Sequence, residues 1–136
     1  MKYLLDTNIC AFMFRGKYHV DQAIDRVGLQ MCAISEITAF ELMVGAELFW
    51  KKTGIDQRDM VRKFISSITV IPISEVLEIA ANEKVRLRLA GTPLDDNFDL
   101  LIGCTAICYD MIMVTENYKD FKNLSNIRLE NWIVRQ

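Results

Sequence analysis

Short apolar runs punctuate this chain, and each is followed by a polar break and a stretch with helical spacing. Lys2 to Leu5 opens the series; Leu29 to Ile34 (LQMCAI), Ile68 to Ile71 (ITVI) and Met111 to Val114 continue it. Runs this short, closed by turn residues such as Pro72, read as buried strands rather than helices. Between them the spacing predicts helices from Thr7 to about Arg15 and from Tyr18 to Val27. A long helix follows, capped by Ser35 and running to about Lys52, and another opened by Gly54 and Asp56 reaches Ser66. Ser74 to Ala90 is helical, with Gly91 as its stop and Pro93 beyond it. Asn97 to Tyr109 is apolar almost all round and should be a buried helix; Ile127 to Glu130 reads as a short edge strand.

Strands alternating with helices imply an α/β fold with a mainly parallel sheet of four to five strands covered on both faces. The 136 residues, 51% of them hydrophobic, suffice for one core, so residues 1–136 are expected to form one domain. No run approaches the length needed to span a membrane, and Asp6 comes too early for a signal peptide, so a cytoplasmic protein is expected. The four cysteines, Cys10, Cys32, Cys104 and Cys108, lie in apolar surroundings and are expected to be buried reduced thiols; the helical spacing of Cys104 and Cys108 leaves a soft-metal site as the alternative. The net charge of −2 and pI of about 5.4 argue against a protein that holds nucleic acid by global attraction, but not against a nuclease with a local basic rim.

The acidic residues stand in unusual places. Asp6 ends the first strand, at the carboxyl edge where ligands bind in parallel sheets. It also suits the N-cap of the next helix. In SEITAFELMVGAELFW, Glu41 shares a helical stripe with Ile37, Val44 and Leu48, so a core-facing acid is expected, either paired with Arg86 or Arg88 or binding a cation. Asp95, Asp96 and Asp99 crowd the start of the apolar helix; Asp96 suits its N-cap, whereas Asp99 falls on the face of Ile102, Gly103 and Ala106 and should point inward. Asp6, Glu41 and Asp99 converging without cations would raise one another's pKa values, and a divalent metal with oxygen ligands, Mg2+ or Mn2+, removes that conflict. Metal-assisted phosphoryl chemistry is the activity such a site serves.

With LLDTN, ISEITAFELMVGA, FDLLIGCTAI, IMVTENYKDF and IRLENWI in this order, the chain resembles the PIN domain, and within it the VapC-type toxins of bacterial toxin–antitoxin pairs. The resemblance implies a three-layer α/β/α fold and a Mg2+- or Mn2+-dependent endoribonuclease. It places the three family acids on Asp6, Glu41 and Asp99, the hydroxyl beside the first on Thr7, and the later polar positions on Thr115 and Asn117. Asn117 stands where many relatives carry Asp, and Glu116 and Asp96 are further carboxylates able to help bind metal, so one metal or two remain open.

Thr7, Thr115 and Asn117 would orient water, phosphate or carboxylates, with Asp99 or Asp96 as general base. Arg15, Lys17, Lys51 and Lys52 are candidate contacts to the RNA backbone. A VapB-type antitoxin is the expected partner, its amphipathic segment lying along a groove beside the long helix and an Arg or Lys entering the acids. A homodimer is expected from surplus apolar residues on that helix: Phe40, Leu42, Met43, Phe49 and Trp50. The rival readings are a phosphatase, against which Asn8 stands where a second Asp belongs, a housekeeping or DNA-cutting PIN nuclease without antitoxin, and a non-catalytic interaction module.

Overall fold

The computed structural model describes residues 1–135. Its strands are β1 (Tyr3–Leu5), β2 (Cys32–Ser35), β3 (Thr69–Ile71), β4 (Ile112–Val114) and β5 (Arg128–Glu130), all parallel, in the order β3-β2-β1-β4-β5. The helices are α1 (Thr7–Phe14), α2 (Val20–Val27), α3 (Glu36–Thr53), α4 (Arg58–Ser67), α5 (Leu77–Leu89), α6 (Asn97–Cys108) and α7 (Tyr118–Phe121).

Residue alternation along the strands explains the layers. Leu4, Ala33 and Met113 enter one core with Val76, Leu87 and Ile102 from the α5–α6 side. Leu5, Ile34 and Val114 enter the other with Ile9, Leu42 and Val61 from the α1, α3 and α4 side. Strand order reverses beside β1: the chain first builds toward β2 and β3, then returns to add β4 and β5. The crevice at this reversal, at the carboxyl ends of β1 and β4, is where parallel sheets take ligands.

Several boundaries differ from expectation for local reasons. Leu29–Met31 is a 3-10 turn, not the start of β2, because Gly28 turns the chain at φ 95 and Cys32 is the first residue to pair with β1. Tyr18 and His19 are left-handed (φ 57 and 59), which delays α2 to Val20. Gly54 ends α3 rather than opening α4, and Asp56 accepts from the Arg58 amide and guanidinium in the connection. Ser74–Val76 forms a 3-10 turn before α5, and α7 has no counterpart among the predicted elements.

α6 is nearly enclosed: Ile102, Gly103, Cys104, Thr105 and Ala106 are buried. Gly103 permits close packing against α7, since a β-carbon there would overlap Leu124 Cδ1 and lie 3.1 Å from Phe121 Cδ1. Glu83 on α5 is buried yet satisfied: Arg86 reaches it at 2.7 and 3.0 Å, and the Ser125 amide and hydroxyl donate to it at 2.6 and 3.0 Å. The cysteines are all free thiols, three of them buried; burial pushes the Cys104 thiol up to about 12. No helix among the described residues is long and apolar enough to cross a membrane.

Candidate active site

Asp6 follows β1 directly and caps α1, its Oδ1 accepting the Thr7 amide at 2.7 Å. Its Oδ2 accepts the Thr115 hydroxyl at 2.9 Å from the end of β4. The capping account and the site account are therefore both true of one carboxylate: each oxygen has its own donor. Asp6 is 4% exposed, and burial raises its pKa; the Thr115 and Thr7 hydrogen bonds act downward, and the charge of Glu41 acts upward.

Thr115 is itself fully buried, and its Oγ1 also accepts the Asn117 amide at 2.9 Å. Asn117 Nδ2 donates to Asp120 Oδ2 at 2.7 Å. Asp6, Thr115, Asn117 and Asp120 thus form one chain of contacts across the strand-order reversal.

Glu41 reaches the same crevice from α3. Its Oε1 accepts the Thr7 hydroxyl at 2.6 Å, while Thr38 Oγ1 lies 3.1 Å from Thr7 Oγ1. A hydroxyl carries one proton, and the carboxylate contact takes it, leaving Thr38 as donor to Thr7. The alternative in which Glu41 pairs with Arg86 or Arg88 has no salt bridge behind it among the described residues, and Arg86 is committed to Glu83. The stripe used to place Glu41 also needs correction. Val44 and Leu48 are 47% and 52% exposed, and the buried face of α3 runs instead through Thr38, Ala39, Leu42 and Ala46. Glu41 is half-buried because α1 covers it, not because the core does.

Asp96 caps α6, accepting the Phe98 and Asp99 amides at 2.9 and 3.2 Å. Asp99, half-buried, has its pKa raised to about 7, first by burial and then by the charges of Asp96, Asp6, Glu41 and Asp120. Among the described residues no lysine or arginine forms a salt bridge with Asp6, Glu41, Asp96 or Asp99.

Glu116 lies apart from the cluster: Arg135 pairs with it and holds its carboxyl below the usual range. Arg15 lines a groove of about 230 Å3 with Thr7 and Glu41. Lys17, Lys51 and Lys52 are exposed, and the Lys51 ammonium sits 5.0 Å from the Trp50 ring. Two site residues escaped the sequence reading. Thr38 stands one helical turn before Glu41, a spacing that was legible; Asp120 follows Asn117 by three residues in an element that was not foreseen.

Could this donor set hold a metal? Among the described residues no group of three or more His, Cys, Asp or Glu side chains is already placed to hold a metal ion. Mg2+ does not require such a group, because it keeps several waters and binds through one or two carboxylates. Oxygen donors that repel one another, with no salt bridge to relieve them among the described residues, fit such an ion. They do not fit a soft metal, and Cys104 and Cys108 lie elsewhere, on the α6 face packed toward α5.

The PIN domain model matches residues 3–127. The chain is 33% identical to the tRNA(fMet)-specific endonuclease VapC of Salmonella typhimurium, covering 97% of this chain and 98% of the relative. Ribonuclease VapC2 of Rickettsia felis is also 33% identical, over the same shares of both chains. Among solved structures, DNA-bound VapBC from Salmonella typhimurium superposes with a TM-score of 0.83 at 28% identity, covering 97% of this chain and 98% of that one. With the five-stranded parallel sheet, the acids gathered at its strand-order reversal and a match running almost end to end, the chain belongs to the PIN domain family.

Proposed function

We propose that this protein is a metal-dependent endoribonuclease, the toxin of a toxin–antitoxin pair, acting in the cytoplasm as a single domain over residues 1–136. The observation that carries the reading is the cluster of Asp6, Glu41 and Asp99, three acids from three elements with no salt-bridge partner among the described residues, in a chain whose relatives are named as ribonucleases.

Asp6, Glu41 and Asp99 would hold Mg2+ or Mn2+, with Asp96 and Asp120 near enough to assist. When bound, the ion polarises the scissile phosphate and makes water more acidic. Thr115 keeps Asp6 oriented by its hydrogen bond, and Thr7 does the same for Glu41. Asp99 or Asp96, both at the start of α6, would orient the attacking water and accept its proton. Asn117 donates to Asp120 and keeps that acid at the rim of the cluster. Arg15, exposed beside Glu41, is the cation best placed to meet the RNA backbone.

A VapB-type antitoxin partners the protein, as in the VapBC complexes it resembles. The groove lined by Thr7, Ala11, Phe14, Leu42, Gly45 and Phe49 offers an apolar floor that ends at Glu41, suited to an amphipathic segment with a basic tip. A second copy of this chain covers the exposed Phe40, Met43, Val44 and Leu48 of α3; Leu42 and Trp50, counted with them from sequence, are instead buried and half-buried.

The test is cleavage of RNA, beginning with tRNA, by purified protein. Mg2+ or Mn2+ should support it, excess EDTA should stop it, and Asp6→Asn, Glu41→Gln or Asp99→Asn should each remove most of it while the fold persists. Cleavage that continues undiminished in EDTA would refute the metal mechanism.

A further inference from the structure

A cavity of about 290 Å3 lies between the loop at Thr92–Leu94 and the turn that follows α7, lined by Thr92, Leu94, Lys119, Asp120, Lys122 and Asn123. We propose that it receives a backbone phosphate of the RNA strand flanking the cleaved bond, held by Lys119 and Lys122. The inference rests on the ribonuclease reading and gives its site a direction.

The cavity shares a wall with the acid cluster. Asp120 lines it, yet the same carboxylate accepts from Asn117 at 2.7 Å and adds to the charge felt by Asp99. A strand whose scissile phosphate lies at Asp6 and Asp99 therefore meets this cavity next on the α7 side. Lys119 and Lys122 are exposed, and among the described residues neither side chain makes a salt bridge or a hydrogen bond, so both ammonium groups are available to an anion. Asp120 keeps its charge, and the two lysines outnumber this one carboxylate in the cavity lining.

The walls are braced. Arg86 donates to the Asn123 carbonyl at 2.7 Å while Glu83 holds it from behind. Lys84 donates to the Leu94 carbonyl at 3.1 Å and to Asn97 Oδ1 at 2.8 Å. Three nearby positions of α5 thus fix both sides of the cavity and the start of α6. In a chain of net charge −2, such local cations are how a polyanion can be held. With Arg15 on the far side of the acids, they would place a cation on each side of the cleaved bond.

The test uses the full-length protein with Mg2+, a fluorophore-labelled RNA, and the double variant Lys119→Gln/Lys122→Gln. Lys2→Gln/Lys63→Gln, which removes the same charge elsewhere, is the control. The double variant should raise KM by about fivefold to tenfold with kcat little changed, as loss of charge-assisted ground-state contacts predicts. Its slope of log(kcat/KM) against log salt should become shallower by roughly 0.7, the value for one phosphate on a single strand. Anisotropy of the labelled RNA in EDTA should show the same loss of binding without any turnover. An unchanged KM and salt slope beside an active wild type would overturn the cavity assignment alone. A wild type that neither binds nor cuts RNA would overturn the ribonuclease reading, and this inference with it.

Discussion

Replacing Asp99 by Asn should stabilise the metal-free protein, and by an amount that depends on pH. Asp99 has its pKa raised from 3.8 to about 7 by burial and by the surrounding acids. Unscreened, a rise of that size favours the neutral form in the folded state by about 4 kcal/mol. Asp99 is only half-buried, and solvent screening reduces the expectation to about 2 kcal/mol.

The sign follows from proton binding. Below the unfolded value of 3.8, both states hold the proton and Asp99 imposes no penalty. As pH rises from there toward 7 the unfolded chain ionises first, so folding stability falls; above 7 the penalty is complete. Asn cannot ionise and escapes the loss.

Urea unfolding of wild type and Asp99→Asn in EDTA, at matched protein concentration, should give nearly equal stabilities at about pH 4 and a gap of about 2 kcal/mol by about pH 8. Adding Mg2+ should narrow the gap by stabilising the wild type. A gap that is absent at the alkaline end, or the same at both ends, would show that Asp99 is not held against its ionisation and that the acids do not crowd one another.

Thr115→Val removes the donor to Asp6 and the acceptor of Asn117, and should cost about 2 kcal/mol by thermal melt while lowering kcat; a fully active variant would show that Asp6 needs no such support. Glu83→Gln tests the opposite sign. Arg86 and Ser125 hold the Glu83 carboxyl at about 2, below its ordinary 4.5, so its contribution is present above pH 4.5 and lost as pH falls toward 2. The variant should be less stable by roughly 3 kcal/mol at neutral pH, with the difference shrinking in acid. A deficit constant with pH would place the loss in packing instead. Gly103→Ala should destabilise by about 1–2 kcal/mol despite its better helix propensity, because Leu124 and Phe121 leave no room; a rise in melting temperature would show that they yield.

The sheet was legible because its strands are short apolar runs, and four of the five coincide with the predicted runs to within a residue or two. Leu29–Met31 misled because a 3-10 turn can be as apolar as a strand, and only pairing with β1 decides where β2 begins. Asp6, Asp96 and Asp99 were legible from their places at strand and helix ends. Glu41 was reached by a faulty route: Val44 and Leu48 complete an apolar stripe that faces outward, and helical spacing cannot say which apolar face meets the core. Asp120 was hidden because a single turn of helix has too few residues to show a period.

The hydrogen bond from Thr115 to Asp6 joins residues 109 positions apart, across the sheet's reversal of strand order. Asp6, Thr7, Thr38 and Glu41 all lie in the first third of the chain, yet Asp99 and Thr115 belong to its last third. During synthesis the early acids leave the ribosome long before their counterparts exist. Chains elongate at about 5–20 residues per second, so several seconds pass in which half a cleft is present and no nuclease. On the proposed reading, a toxin assembled this way would be harmless as a nascent chain and dangerous only once β4 docks beside β1. An inhibitor made in the same cell has that interval in which to be ready.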